Sequence, residues 1–114
     1  MNTATNTVVW ATVVTAIAAI YWNPLDYFAE AGASAYYQAR IAYERGHASE
    51  KDAVTRAFDD GKITMHDYSE LVFPAYLRVS HDGEAVFPDT ERTKTVHQLR
   101  AELASATGLS PALR

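Results

Sequence analysis

No acidic or basic side chain occurs before Asp26, so the stretch from Met1 to Leu25 lacks the charged groups with which the outer face of a soluble helix normally meets water. Within it, the only polar members of the run from Val8 to Trp22 are Thr12 and Thr15. As a helix that run covers about 22 Å, short of the roughly 30 Å hydrocarbon core of a bilayer. Extended from Thr5 to Leu25 it reaches about 31 Å, with Asn6, Thr7 and Asn23 at headgroup depth and Tyr21, Trp22 and Tyr27 as an aromatic belt on one side. Residues 1–25 therefore read as a hydrophobic anchor helix that makes membrane contact through residues 5–25 in a single pass. The competing reading is a buried helix of a soluble bundle, because Val9, Val13, Ile17 and Ile20 recur at helical spacing. Against it, the other face offers only Thr5, Thr12, Thr15, Ala16 and Ala19. Orientation is not set, since the nearest basic residue, Arg40, lies too far beyond Trp22 to flank the span. Ala29-Glu30-Ala31 resembles a signal-peptide cleavage site, but no Lys or Arg precedes the apolar run, which argues against processing there.

The remainder, residues 26–114, has a mixed charged surface and reads as one small helical domain. The whole chain has 114 residues, too few for a second folded domain but enough to bury a core without staples. It contains no cysteine, which excludes thiol catalysis, thiolate zinc sites and disulfides. With 10 basic against 14 acidic side chains there is no electrostatic reason to seek a nucleic acid.

Local signals divide this domain into short elements. Asn23-Pro24 opens a helix expected to run to Arg45, with Gly32 as a place where it bends or ends and Gly46 as a left-handed cap. Ser49 to Asp52 fits a capping box for a helix through Asp59 that Gly61 closes in a left-handed conformation. Thr64 to Asp67 repeats the device, and Ile63 should pack between the two helices with Ala57, Phe58, Tyr68 and Leu71. Pro74 is expected to interrupt the helix that Thr64 opens. Residues 76–87 place Asp82-Gly83 between two short apolar runs, the signal of a β-hairpin. A last helix from about Glu91 to Ala106 carries Val96, Leu99 and Leu103 on one face and stops at Gly108. The expected fold class is thus mostly α, an N-terminal hydrophobic helix followed by a small helical domain with a short hairpin at 76–87.

Asp59 to Asp67 superficially resembles a calcium loop. If Gly61 took the loop glycine position, however, the first and third ligands would be Arg56 and Phe58, which cannot coordinate a hard cation. Ala57-Phe58-Asp59-Asp60-Gly61-Lys62-Ile63-Thr64 followed by Asp67-Tyr68 and Leu71 resembles the SHOCT-type segment, a short helix-turn-helix with a Gly-x-Ile-Thr turn. The similarity extends from Ala57 to Leu71 only. It implies a role in oligomerisation or interaction, in company with membrane-anchored and phage-encoded bacterial proteins.

A helix-turn-helix before a hairpin also suggests a winged DNA-binding domain, but Met65 to Glu70 offers two acids and no Lys or Arg to a groove. His66 and Glu70 share a helix face at i,i+4, yet two ligands do not make a metal site. His47, His81 and His97 are scattered. No HExxH, Gly-x-Ser-x-Gly or glycine-rich phosphate loop occurs, and nothing assembles a nucleophile, base and oxyanion donor. No catalytic residue, cofactor, metal or small-molecule substrate is assigned.

Seven Tyr, four Phe and two Trp are many for so short a chain, and the alanine-rich stretch around Tyr36 and Tyr37 lacks a charged outer face. Aromatic anchors of this kind favour interfaces. Trp22, Tyr36, Tyr37 and Tyr43 are the interface candidates, toward a protein partner or further copies of the chain. The expected function is that of a non-enzymatic structural subunit or adaptor of bacterial or phage origin, in a membrane or in a virion or similar assembly. The alternative is a soluble, cytoplasmic helical interaction protein, such as a phage-encoded inhibitor of a host machine.

Overall fold

A computed structural model describes residues 28–111. Trp22 and the whole of the expected anchor, residues 5–25, lie outside the described residues. The described part is mostly helical, and no strand occurs among the described residues. Its elements are α1 (Ala33–Arg45), α2 (Ala48–Ala57), the single turn α3 (Met65–Asp67), a π-helical turn at Tyr68–Val72, α4 (Phe73–Val79), α5 (Asp89–Arg92) and α6 (Val96–Thr107). No helix among the described residues is long and apolar enough to cross a membrane.

Helix α1 is the centre of the body and packs against α6, α4 and α2. It buries Ala35, Tyr36, Tyr37, Gln38, Ala39, Ile41 and Ala42, residues distributed around nearly its whole circumference. A helix without a polar face is a core helix, and the alanines let neighbours approach closely between the large rings. It begins at Ala33 behind Gly32, because residues 29–31 are drawn into an extended arm, and the expected helix start at Asn23-Pro24 lies outside the described residues. That arm lies along the turn before α3, where Ala31 N–H donates to the Ile63 carbonyl at 2.7 Å and Met65 N–H donates to the Ala29 carbonyl at 2.9 Å. Glu30 and Thr64 form an isolated antiparallel bridge between them. Ala29-Glu30-Ala31, the cleavage-like sequence, is thus part of the folded body, with Ala31 only 3% exposed.

Gly46 is not the left-handed cap that the sequence suggests, since its φ is −81°. The constraint is space. A Cβ at Gly46 would stand 2.3 Å from the Glu50 Cβ and 2.4 Å from the Ala42 carbonyl oxygen, so glycine is what lets α2 start so soon after α1 ends. His47, not Ser49, is the α2 N-cap, its N–H donating to Glu50 Oε1 at 3.0 Å. Gly61 does adopt the left-handed conformation, at φ 85°, and Thr64 caps α3 by accepting from Asp67 N–H at 3.1 Å. Ile63, wholly buried, joins Ala57, Phe58 and Tyr68 in the core as its position between two helices requires.

Pro74 does not interrupt its helix. Tyr68–Val72 widens into a π turn in which Phe73 N–H reaches back to the Tyr68 carbonyl. The wider turn takes the place of the i→i−4 bond that proline cannot donate, and Pro74 sits in the first turn of α4, where proline is tolerated. The expected hairpin at 76–87 does not form. Tyr76 to Val79 continues α4, because Val72, Phe73 and Tyr76 meet the core at helical spacing. The Asp82-Gly83 turn exists, with Gly83 at φ 82° and Glu84 N–H donating to the His81 carbonyl, but it leads into an irregular strap instead of a second strand. The strap crosses α1, held by Gln38 Nε2 donating to the Val86 carbonyl at 3.2 Å and by Arg45 on the Glu84 carboxylate at 2.8 Å.

The last expected helix is split. After α5, Thr95 caps α6 by accepting from Gln98 N–H at 3.1 Å while Gln98 Oε1 accepts from Thr95 N–H at 2.8 Å. Gly108, at φ 75°, ends it as the sequence indicates. Lys94 pairs with Glu91 at 3.0 Å and with Glu102 at 2.8 Å, and Arg40 reaches Glu91 at 3.2 Å, so the one-turn α5 is tied to α1 and to α6.

Candidate functional site

Besides the Arg40–Glu91–Lys94–Glu102 network, chemistry-bearing side chains of this body gather in three further places. The first joins the arm to α6. Arg100 is 4% exposed, sits among Val96, Leu99 and Leu103 on the core-facing side of α6, and pairs with the Glu30 carboxylate. The Tyr36 hydroxyl donates to the same carboxylate and accepts from Ile63 N–H at 3.0 Å, while the Arg100 guanidinium lies 5.7 Å from the centre of the Tyr36 ring. Burial pulls the Glu30 carboxyl upward, but hydrogen bonds from Tyr36 and Arg100 and the nearby charges of Arg100 and Lys62 outweigh it and hold the group below its ordinary range. Burial and the Glu30 hydrogen bond push the Tyr36 phenol up to about 12. An acid that stays ionised beside a phenol that stays neutral has no proton to exchange near neutrality, so this trio orders structure and does not poise a general acid or base.

The second place lies under the strap. Tyr68 on the π turn donates to Gln38 Oε1 at 2.8 Å, and the Gln38 amide passes the connection on to the Val86 carbonyl. Tyr76, wholly buried nearby, has a hydroxyl without a hydrogen-bond partner, and burial, with the Glu84 charge and Tyr37 beside it, pushes it up to about 12. The third place is the α2 N-terminus, where Glu50 accepts from Ser49 Oγ at 2.5 Å, from His47 N–H, and from Arg78 Nε at 2.9 Å. These bonds hold its carboxyl down to about 2.

Of the residues assigned to an interface, Tyr36, Tyr37 and Tyr43 are described. Trp22 lies outside the described residues. Tyr36 and Tyr37 are core residues, 0% and 6% exposed, their rings stacked edge-on against Phe58 and tilted against Phe87 respectively. The close approach that their alanine neighbours permit is made by helices of the same chain. Tyr43 is half-buried, with Lys51 Nζ 4.4 Å above its ring and bonded to its carbonyl. The large hydrophobic left on the surface of the described body is Phe28, 72% exposed, with its ring 6.0 Å from that of His66. It stands close behind Leu25, where the uncharged stretch ends. His66 and Glu70 gain no third metal-ligating neighbour, and no group of three such residues occurs among the described residues.

The polar residues that organise the interior are not among the candidates that the sequence singles out. Arg100 has a legible signal: it occupies an apolar helical stripe, where a cation must find a carboxylate. Gln38 is similar, flanked by Tyr37 and Ala39 and followed by Ile41 and Ala42. Glu30 has no such signal, since only the arm's path brings it to Arg100 from a distant part of the sequence. No protein-family model, no curated protein and no solved structure matches the chain.

Proposed function

We propose that the chain is a non-enzymatic structural subunit or adaptor, held in a membrane by residues 5–25 and displaying the helical body beside it. The observation that carries this reading is the absence of any charged side chain through Leu25, followed closely by the exposed ring of Phe28. Phe28 extends the aromatic series of Tyr21, Trp22 and Tyr27, and rings of that kind suit the boundary between hydrocarbon and water. The carboxylates of Glu30 and Glu50 support the non-enzymatic half, because both are engaged by hydrogen bonds from their neighbours. The short helix-turn-helix from Ala57 to Leu71, with its resemblance to SHOCT-type segments, is the part of the body assigned to assembly with partner proteins or further copies.

Replacing Val14 by Arg tests the anchor. A cation at the centre of a membrane helix costs about 3 kcal/mol of insertion free energy. After expression and alkaline extraction, the wild type is expected in the membrane pellet and Val14→Arg in the soluble fraction, with unchanged helix content. A variant that stays in the pellet would place the anchor elsewhere. One that unfolds would make residues 5–25 a core helix of a soluble protein.

A further inference from the structure

The arm from Phe28 to Gly32 is attached to the body differently from every helix. Its backbone makes two hydrogen bonds to the turn before α3, a pairing too short to hold itself in water. Ala31 is its only member in the core, whose large residues come from α1, α2, α4, α6 and the connecting turns. Phe28 adds a ring contact with His66 at 6.0 Å, and the charged attachment of the arm is the Glu30 carboxylate, gripped by Arg100 and Tyr36. The Glu30 side chain is 26% exposed, so water reaches the grip from one side. Behind it stands Gly32, extended at ψ −179° and with nothing within 4 Å of where a Cβ would be, so the chain has room to turn there.

We propose that Glu30 and Arg100 form a releasable latch, which holds the arm on the body when closed and on opening frees residues 28–32 as one unit about Gly32, while the helices stay folded. Open, it bares the Ile63 carbonyl and Met65 N–H. The device follows from contacts among the described residues and stands whether or not residues 5–25 lie in a membrane.

Amide hydrogen exchange on the full chain in sub-denaturing urea tests it. In the wild type the Ala31 and Met65 amides should exchange about tenfold or more faster than those of Phe58 and Leu103, through an opening that urea barely promotes. Arg100→Met should speed the two arm amides about thirtyfold or more, still through an opening that urea barely promotes, while Phe58 and Leu103 keep the steep urea dependence of global unfolding. Glu30→Gln, which keeps the shape of the side chain, should do the same to a lesser degree. The latch is refuted if the wild-type arm amides open only with the whole body, at the same urea dependence as Leu103. It is equally refuted if neither substitution speeds the arm amides at low urea.

Discussion

Tyr36 on α1 and Tyr76 on α4 are both wholly buried tyrosines, yet their hydroxyls have opposite fates. At the arm end, the Tyr36 hydroxyl bridges the Glu30 carboxylate and the Ile63 N–H, joining three segments of chain. Under the strap, the Tyr76 hydroxyl has no partner, although Glu84, Arg45 and Tyr37 are close enough to be felt electrostatically. The same residue type at the same depth is a crosslink in one region and mainly packing volume in the other. Burial alone therefore does not say what a polar atom contributes. Its partners do, and a buried hydroxyl without one carries a desolvation cost.

The largest expected effect comes from taking the cation away from the arm end. Arg100→Met leaves the Glu30 carboxylate without its counter-ion and Tyr36 without the guanidinium over its ring. Breaking a fully buried pair costs about 3–5 kcal/mol, and because the Glu30 side chain keeps 26% exposure we expect about 2–3 kcal/mol, read as a lower urea midpoint at unchanged slope. A loss as small as a surface pair gives would make the arm end no different from the strap end. Tyr36→Phe keeps the ring and removes the bridge, leaving Ile63 N–H unsatisfied, and should cost about 1–2 kcal/mol in the same assay.

Acid offers a smaller and graded version. Glu30 and Glu50 both have carboxyls held below their ordinary value of 4.5 in the folded chain, Glu50 at about 2. Groups with depressed values bind fewer protons folded than unfolded, so their stabilisation is complete above pH 4.5 and is lost as pH falls toward 2. Urea midpoints across that window should decline for the wild type, and less steeply for Arg100→Met, in which Glu30 has lost its partner. Equal slopes would mean that Glu30 contributes nothing to the acid sensitivity. Smallest of all, Tyr76→Phe should change stability by less than about 0.5 kcal/mol, or raise it slightly, since it deletes an unpartnered hydroxyl. A loss matching that of Tyr36→Phe would erase the contrast between the two regions.

Local chemistry is readable in the sequence wherever the backbone itself demands it. Gly61 adopts the left-handed conformation expected of it, Gly108 stops the last helix, Thr64 caps the helix after it, and Leu99 and Leu103 face the core at the spacing read from the sequence. Structure and expectation part where tertiary contacts decide. Asp82-Gly83 is a turn as expected, but its flanks become a helix and a strap because Val72, Phe73 and Tyr76 reach the core and Gln38 holds Val86. Pro74 reads as a breaker because nothing local announces the π turn that accommodates it. Gly46 is needed for closeness to Glu50 and Ala42, a reason that exists only once α1 and α2 are packed. Tyr36 and Tyr37 read as contact residues because their small neighbours promise close approach, and the approaching helices belong to the same chain. Arg100 is visible in its apolar stripe; its partner Glu30 is not.

Sedimentation of the full chain with and without detergent decides most directly whether residues 5–25 or the helical body carries the molecule's contact with its surroundings. A chain anchored through its uncharged stretch should need detergent to remain dispersed, and should associate or precipitate when the detergent is removed while keeping its helix content. A full-length chain that is soluble, monomeric and monodisperse without detergent would contradict the anchor.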